Sequence, residues 1–176
     1  MKKLLLLLLI TINCFSQEKH PDTDFFINNR KIYWEHVFNF PNKDSISLIK
    51  AFKKEILLSI KIENLIESEN VISFQISDDM PNFRKYGGTL MGTPFIAQMY
   101  MKYLVSVEFK NEKYRVTIKE ILLTNKSNIT EFLEYFVSSS SYKNFKNSGI
   151  LSRGLSYDEK HFIEKFSINN EVKKQW

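Results

Sequence analysis

Between residues 31 and 124 apolar side chains recur mostly at every second position, and in one segment at every third or fourth. Ile32, Trp34, Phe38 and Phe40 alternate with Tyr33, Glu35 and Asn39, which predicts a long strand that Pro41 ends. His36 falls on its apolar side. Asp44 or Ser45 offers an N-cap, and Ile49, Phe52, Ile56 and Ile60 then recur at helical spacing with Lys50, Lys53, Lys54 and Glu55 on the other face. A short strand over 62–66 and a cleaner one over 71–77 follow, joined by a turn at 68–70; in the second, Ile72, Phe74 and Ile76 oppose Ser73, Gln75 and Ser77.

Met101, Tyr103, Val105, Val107 and Phe109 line one face of the next strand, over 99–109, with Lys102, Ser106 and Glu108 opposite. Asn111 and Glu112 make the turn. The return strand sets Tyr114, Val116 and Ile118 against Arg115, Thr117 and Lys119, and a change of phase at Glu120 and Ile121 predicts a bulge. Beyond 124 the spacing becomes helical: Ile129, Phe132, Leu133 and Phe136 share a face, the serines of 138–141 act as a linker, and a polar stretch runs through Gly154. Asp158 then caps a last amphipathic segment carrying Phe162, Ile163 and Phe166. The pattern predicts an α+β fold: an antiparallel sheet of about five strands in the order β-α-β-β-β-β, followed by C-terminal helices packing on it. The core domain spans 31–124, the helical segment 125–176, and residues 17–30, polar from Gln17 to Asp24 with Pro21, are a leader.

Residues 1–16 have the layout of a secretory signal peptide: Lys2 and Lys3, an apolar run from Leu4 to Ile12, and Cys14 and Ser16 as small residues before a cut at Gln17. The apolar run is far short of the roughly 20 residues a membrane-spanning helix needs. A second reading makes Cys14 a lipidated cysteine, although Asn13 departs from the small residue such sites favour. Both readings predict export, to the periplasm, the cell surface or the exterior.

Cys14 is the only cysteine, so a chain cut before Gln17 has no disulfide and no thiolate metal site. Lys2 and Lys3 supply two units of the formal net charge of +5. The remaining lysines are interleaved with glutamates, as on an ordinary solvated surface, and form no basic stripe for nucleic acid.

The run Ile32-Tyr33-Trp34-Glu35-His36-Val37-Phe38, the loop Tyr86-Gly87-Gly88 and the hairpin from Val107 to Val116 resemble an exported bacterial domain of unknown function with a TBP-like fold. The likeness covers 31–124. One departure is the turn, where Asn111-Glu112 stands in place of the Asp-Gly that such domains favour. The resemblance implies a curved antiparallel sheet backed by helices and supplies no activity.

Local motifs for catalysis or ligation are absent. His20, His36 and His161 lie too far apart in sequence to share a metal site on one element, and His36 between Trp34 and Phe38 reads first as a core histidine. His161 reads as a helix-surface residue beside Glu164. Gly87, Gly92 and Thr93 have P-loop spacing without the lysine. Asp78 and Asp79, adjacent on a strand, point to opposite faces and suit a turn better than paired acid–base work. No catalytic, cofactor-binding or metal residue is therefore assigned, and no cofactor is expected.

The irregular segment 78–94 remains, where Phe83, Arg84 and Tyr86 form the candidate interaction loop; the competing reading folds Phe83 and Tyr86 back over the sheet edge. These features describe an exported, non-catalytic domain that binds an envelope protein, a peptide or a small ligand through its sheet face or this loop. The alternative is an envelope hydrolase with a composite site, for which His36, Asp78 and Asp79 are the residues to test.

Overall fold

The computed structural model describes residues 17–125, 128–138 and 144–168, so the expected signal segment, 1–16, and most of the expected serine linker lie outside the described residues. Among the described residues, eight strands form one antiparallel sheet. They are β1 (Glu18–Lys19), β2 (Phe25–Asn28), β3 (Lys31–Asn39), β4 (Glu63–Ser68), β5 (Val71–Asp79), β6 (Tyr100–Lys110), β7 (Lys113–Asn125) and β8 (Asn128–Glu131). Their spatial order is β1-β2-β3-β7-β6-β5-β4, with β8 on the far half of β7. Within 31–124 the expected β-α-β-β-β-β order holds.

Helix α1 (Ser45–Phe52) starts where Asp44 accepts a hydrogen bond from the Ser47 amide at 2.7 Å, and it runs into a wider turn over Lys53–Leu57. Helices α2 (Phe132–Phe136) and α3 (Gly149–Phe166) follow the sheet. All three cover one sheet face. Phe162 of α3 sits at the centre of that layer, its ring 5.3 to 6.1 Å from the rings of Tyr103, Trp34 and Phe25. The Tyr114 hydroxyl donates to the Phe166 carbonyl at 2.6 Å and accepts the Ile168 amide at 3.2 Å, so a strand residue satisfies the backbone at the α3 terminus and fixes the helix to the sheet.

The phase change in β7 is a true register shift. Leu104 faces Lys119 but Lys102 faces Leu122, and Glu120 takes φ +53° to absorb the extra residue. The hairpin turn at Asn111-Glu112 likewise places Glu112 at φ +66°.

Four expectations fail at the ends of the chain. The stretch 17–30 is no loose leader: β1 and β2 extend the sheet, and Phe25 and Ile27 are buried because Phe25 pairs with Trp34 and reaches the helix layer. The sheet thus has eight strands rather than five. Ile129 belongs to β8 and is exposed, not on a helix face with Phe132 and Phe136. Helix α3 begins at Gly149 after Ser148, so residues 149–154 are helical and Asp158 lies in mid-helix rather than at its cap. Gly154 permits the helix to approach closely: a Cβ there would sit 2.9 Å from Pro94 Cγ.

Candidate functional site

Asp78 and Asp79 do point apart. Asp78 is exposed at φ +57°, whereas Asp79 is buried and accepts three hydrogen bonds: from Tyr103 Oη at 2.5 Å, Lys165 Nζ at 2.6 Å and His161 Nε2 at 2.9 Å. Asp79 therefore caps no turn, and His161 is not a helix-surface residue. Burial alone would raise the Asp79 carboxyl, but the hydrogen bond and charge of His161 and the charge of Lys165 outweigh it and hold the group well below the usual carboxylate range. Tyr103 moves the opposite way, through burial and the adjacent Asp79 charge.

Asp158, one turn before His161 and Phe162 on α3, is 2 % exposed, and its Oδ1 has no hydrogen-bond partner. Burial, aided by the Asp79 charge, pushes its carboxyl far above the normal range. Two carboxyls shifted in opposite directions would suit acid–base chemistry if a substrate could reach them. Here both are enclosed under α3, and the arrangement reads as an internal polar network.

The candidate loop divides. Phe83 is buried against Ala97 and Tyr157, and Tyr86 packs beside them while donating to Glu164 at 3.0 Å. Lys85 pairs with the same Glu164. Burial and Glu164 raise the Tyr86 phenol. Arg84 alone of the three is exposed. Of the P-loop-like residues, Thr93 is buried, and the segment after it is the four-residue turn of helix Phe95–Gln98, too short for a phosphate site.

His36 is not enclosed. Its side chain is 28 % exposed, stacks on Trp34 at 5.7 Å and meets Phe38 edge-on at 4.6 Å, and its Nδ1 lies 2.6 Å from Asp24 Oδ2. Glu159 of α3 completes the group: its Oε2 accepts the Trp34 indole N–H at 2.5 Å and the Asp24 amide at 3.1 Å. Donor atoms of Asp24, His36 and Glu159 lie within 4.8 Å of one another. Burial opposes the ionised Asp24, but Lys19 and His36 overcome it and lower its carboxyl; burial and the Asp24 charge raise that of Glu159. Thus His36 meets Asp24 and Glu159, while Asp79 meets His161, and the trio of His36, Asp78 and Asp79 forms no common hydrogen-bonded group.

The sheet face away from the helices carries a different constellation. One transverse row reads Glu35, Thr117, Ser106, Ser73, Ile66 across β3, β7, β6, β5 and β4. The rows beside it bring Val37, Arg115 and Glu108 together on one side and Lys119, Leu104 and Gln75 on the other. Arg115 holds Glu108 at 2.6 Å and Glu35 at 3.5 Å. Of the cavities that open here, those of about 390 and 300 Å³ share Thr117, Lys119 and Glu120. The larger is walled by balanced charges: Lys31, Arg115 and Lys119 against Glu35, Glu108 and Glu120. The smaller is mostly apolar, with Ile66 and Leu104 on a floor of serines and threonine.

The chain is similar to two solved structures. One is a TBP-like protein from Parabacteroides distasonis ATCC 8503, at 13 % identity over 79 % of this chain and 88 % of that one, with a TM-score of 0.47. The other is a DUF4468 family protein from Bacteroides ovatus ATCC 8483, at 10 % identity over 77 % and 80 %, with a TM-score of 0.44. No family model and no curated protein matches the sequence. What these likenesses concern is fold, and neither assigns chemistry to a residue.

Sequence reasoning missed the partners of His36 because Glu159 is 123 positions away. It could have found Asp158, which interrupts the apolar stripe of Leu155, Phe162 and Phe166 at helical spacing.

Proposed function

We propose that this chain is an exported, non-catalytic binding domain that receives an extended peptide segment on the open face of its sheet. The observation that carries the reading is the floor of Ser73, Ser106 and Thr117, low side chains spanning three strands, between a charged wall and the apolar Leu104 and Ile66. Such a trough admits a backbone and offers both apolar and charged contacts for its side chains. Charge balance on this face favours a peptide over nucleic acid, which would require a basic surface. Export is supported by Lys2, Lys3 and the apolar run after them. No helix among the described residues is long and apolar enough to cross a membrane. The test is selection from a displayed library of random peptides: the protein should enrich a sequence class, and Leu104→Glu together with Ser106→Arg should reduce that enrichment at least about tenfold. Equal enrichment by the variant would refute the assignment of the face.

A second reading, a hydrolase of envelope material, is favoured by one observation: partly exposed His36 is held by Asp24 at 2.6 Å, the orientation a general base needs. Hydrolysis of peptidoglycan fragments that His36→Gln abolishes, with the fold intact, would establish it over the binding reading.

A further inference from the structure

We propose that Asp24, His36 and Glu159 form a binding site for one first-row divalent cation, of which Zn²⁺ is the probe. The site does not depend on either functional reading above. Its three donors come from the segment entering β2, from β3 and from α3, parts of the chain that only the fold brings together. The donor set is mixed, one imidazole nitrogen and two carboxylates. That composition suits Zn²⁺, Co²⁺ or Mn²⁺; Ca²⁺ and Mg²⁺ prefer oxygen alone and more of it.

The spacing fits. Ligand atoms about 2.1 Å from a tetrahedral ion lie on the order of 3.4 Å apart. Here all three donors are within 4.8 Å of one another, and His36 Nδ1 and Asp24 Oδ2 are already at 2.6 Å. A cation would replace the short contact between these two atoms, pushing them apart by less than an ångström while drawing Glu159 in. The ring ligates as the neutral tautomer with its one proton on Nε2, which leaves the Nδ1 lone pair for the cation.

The surroundings hold the donors in place from outside the trio. Trp34 donates its indole N–H to Glu159 Oε2 and stacks on the His36 ring, and Phe38 closes the ring's other side. Such outer partners orient ligands at metal sites. Lys19 pairs with Asp24 Oδ1 at 2.6 Å, so it occupies the oxygen that faces away from His36. Partial exposure of His36 and Asp24 leaves an entry path and room for water as the remaining ligands.

The experiment is calorimetric titration of the protein with Zn²⁺ at pH 7, repeated with His36→Gln and Glu159→Gln, and with folding checked by circular dichroism. One equivalent should bind, and each substitution should weaken binding at least about tenfold. Binding that both variants retain, or none by wild type at millimolar Zn²⁺, would overturn the site. If a variant does not fold, Mn²⁺ added to the isotopically labelled wild type decides instead. Broadening confined to amides around Asp24, His36 and Glu159 supports the site, and broadening elsewhere, or none, refutes it.

Discussion

Replacing Asp79 by Asn removes the one negative charge on which Tyr103, His161 and Lys165 converge, at 2.5, 2.9 and 2.6 Å. Asn keeps the size and one acceptor, but its amide turns donors toward donors. Lys165 and His161 are largely sheltered, at 15 % and 13 % side-chain exposure, so water can compensate only in part. Breaking a buried ion pair by removing one partner costs about 3–5 kcal/mol. For a chain of this size each kcal/mol lowers Tm by roughly 2–4 °C, which gives a fall of about 6–20 °C.

Urea denaturation and thermal melts followed by circular dichroism measure it, with Asp78→Asn as the control; that exposed neighbour should change stability by less than about 0.5 kcal/mol. The pH dependence adds a second arm. Asp79 is held ionised below the ordinary carboxylate range, so its contribution is complete above about pH 4 and is lost as pH falls further. The gap between wild type and Asp79→Asn should therefore narrow in acid. A loss under about 1 kcal/mol at pH 7, or an equal loss from Asp78→Asn, would refute the network.

Asp158→Asn should act in the opposite direction. Its carboxyl is raised, so the stability it permits is greatest below about pH 4 and declines as pH rises; the amide, which does not ionise, should flatten that decline, as read by urea melts across pH. Glu112→Gly relieves φ +66° in the hairpin turn, worth about 1–2 kcal/mol, and loses the exposed hydrogen bond that the Asn42 amide donates to Glu112 Oε1 at 3.3 Å, so the denaturation midpoint should rise modestly at unchanged m. Zn²⁺ should raise the Tm of wild type and leave that of His36→Gln unmoved in a thermal-shift assay.

Strands β5, β6 and β7 were legible because each is buried on one face and wet on the other, so alternation in the sequence records the sheet directly. The bulge at Glu120 was legible for the same reason, as a break in phase. Strand β2 has only four residues, Phe25 to Asn28, and a pattern that short carries no period; its strand character comes from pairing with β3. Asp158 was misread because Asp before an amphipathic run is the usual sign of a cap, and only the upstream residues, already helical, argue otherwise. The loop 78–94 drew attention by composition, yet Phe83 and Tyr86 turn inward, and the polar network lies on residues whose partners are 24 to 86 positions away. Local sequence cannot report such pairings. The open face was half legible: Ser73, Gln75, Ser106 and Thr117 were placed opposite the core, but the trough they share depends on register between five strands.

Amide chemical-shift mapping of the protein titrated with a peptide selected from the random library tests the central claim most directly. The open-face reading predicts shifts concentrated at Ser73, Leu104, Ser106 and Thr117, with the helix layer unmoved. Shifts centred on His36 and Glu159, or on Arg84 and its loop, would contradict it.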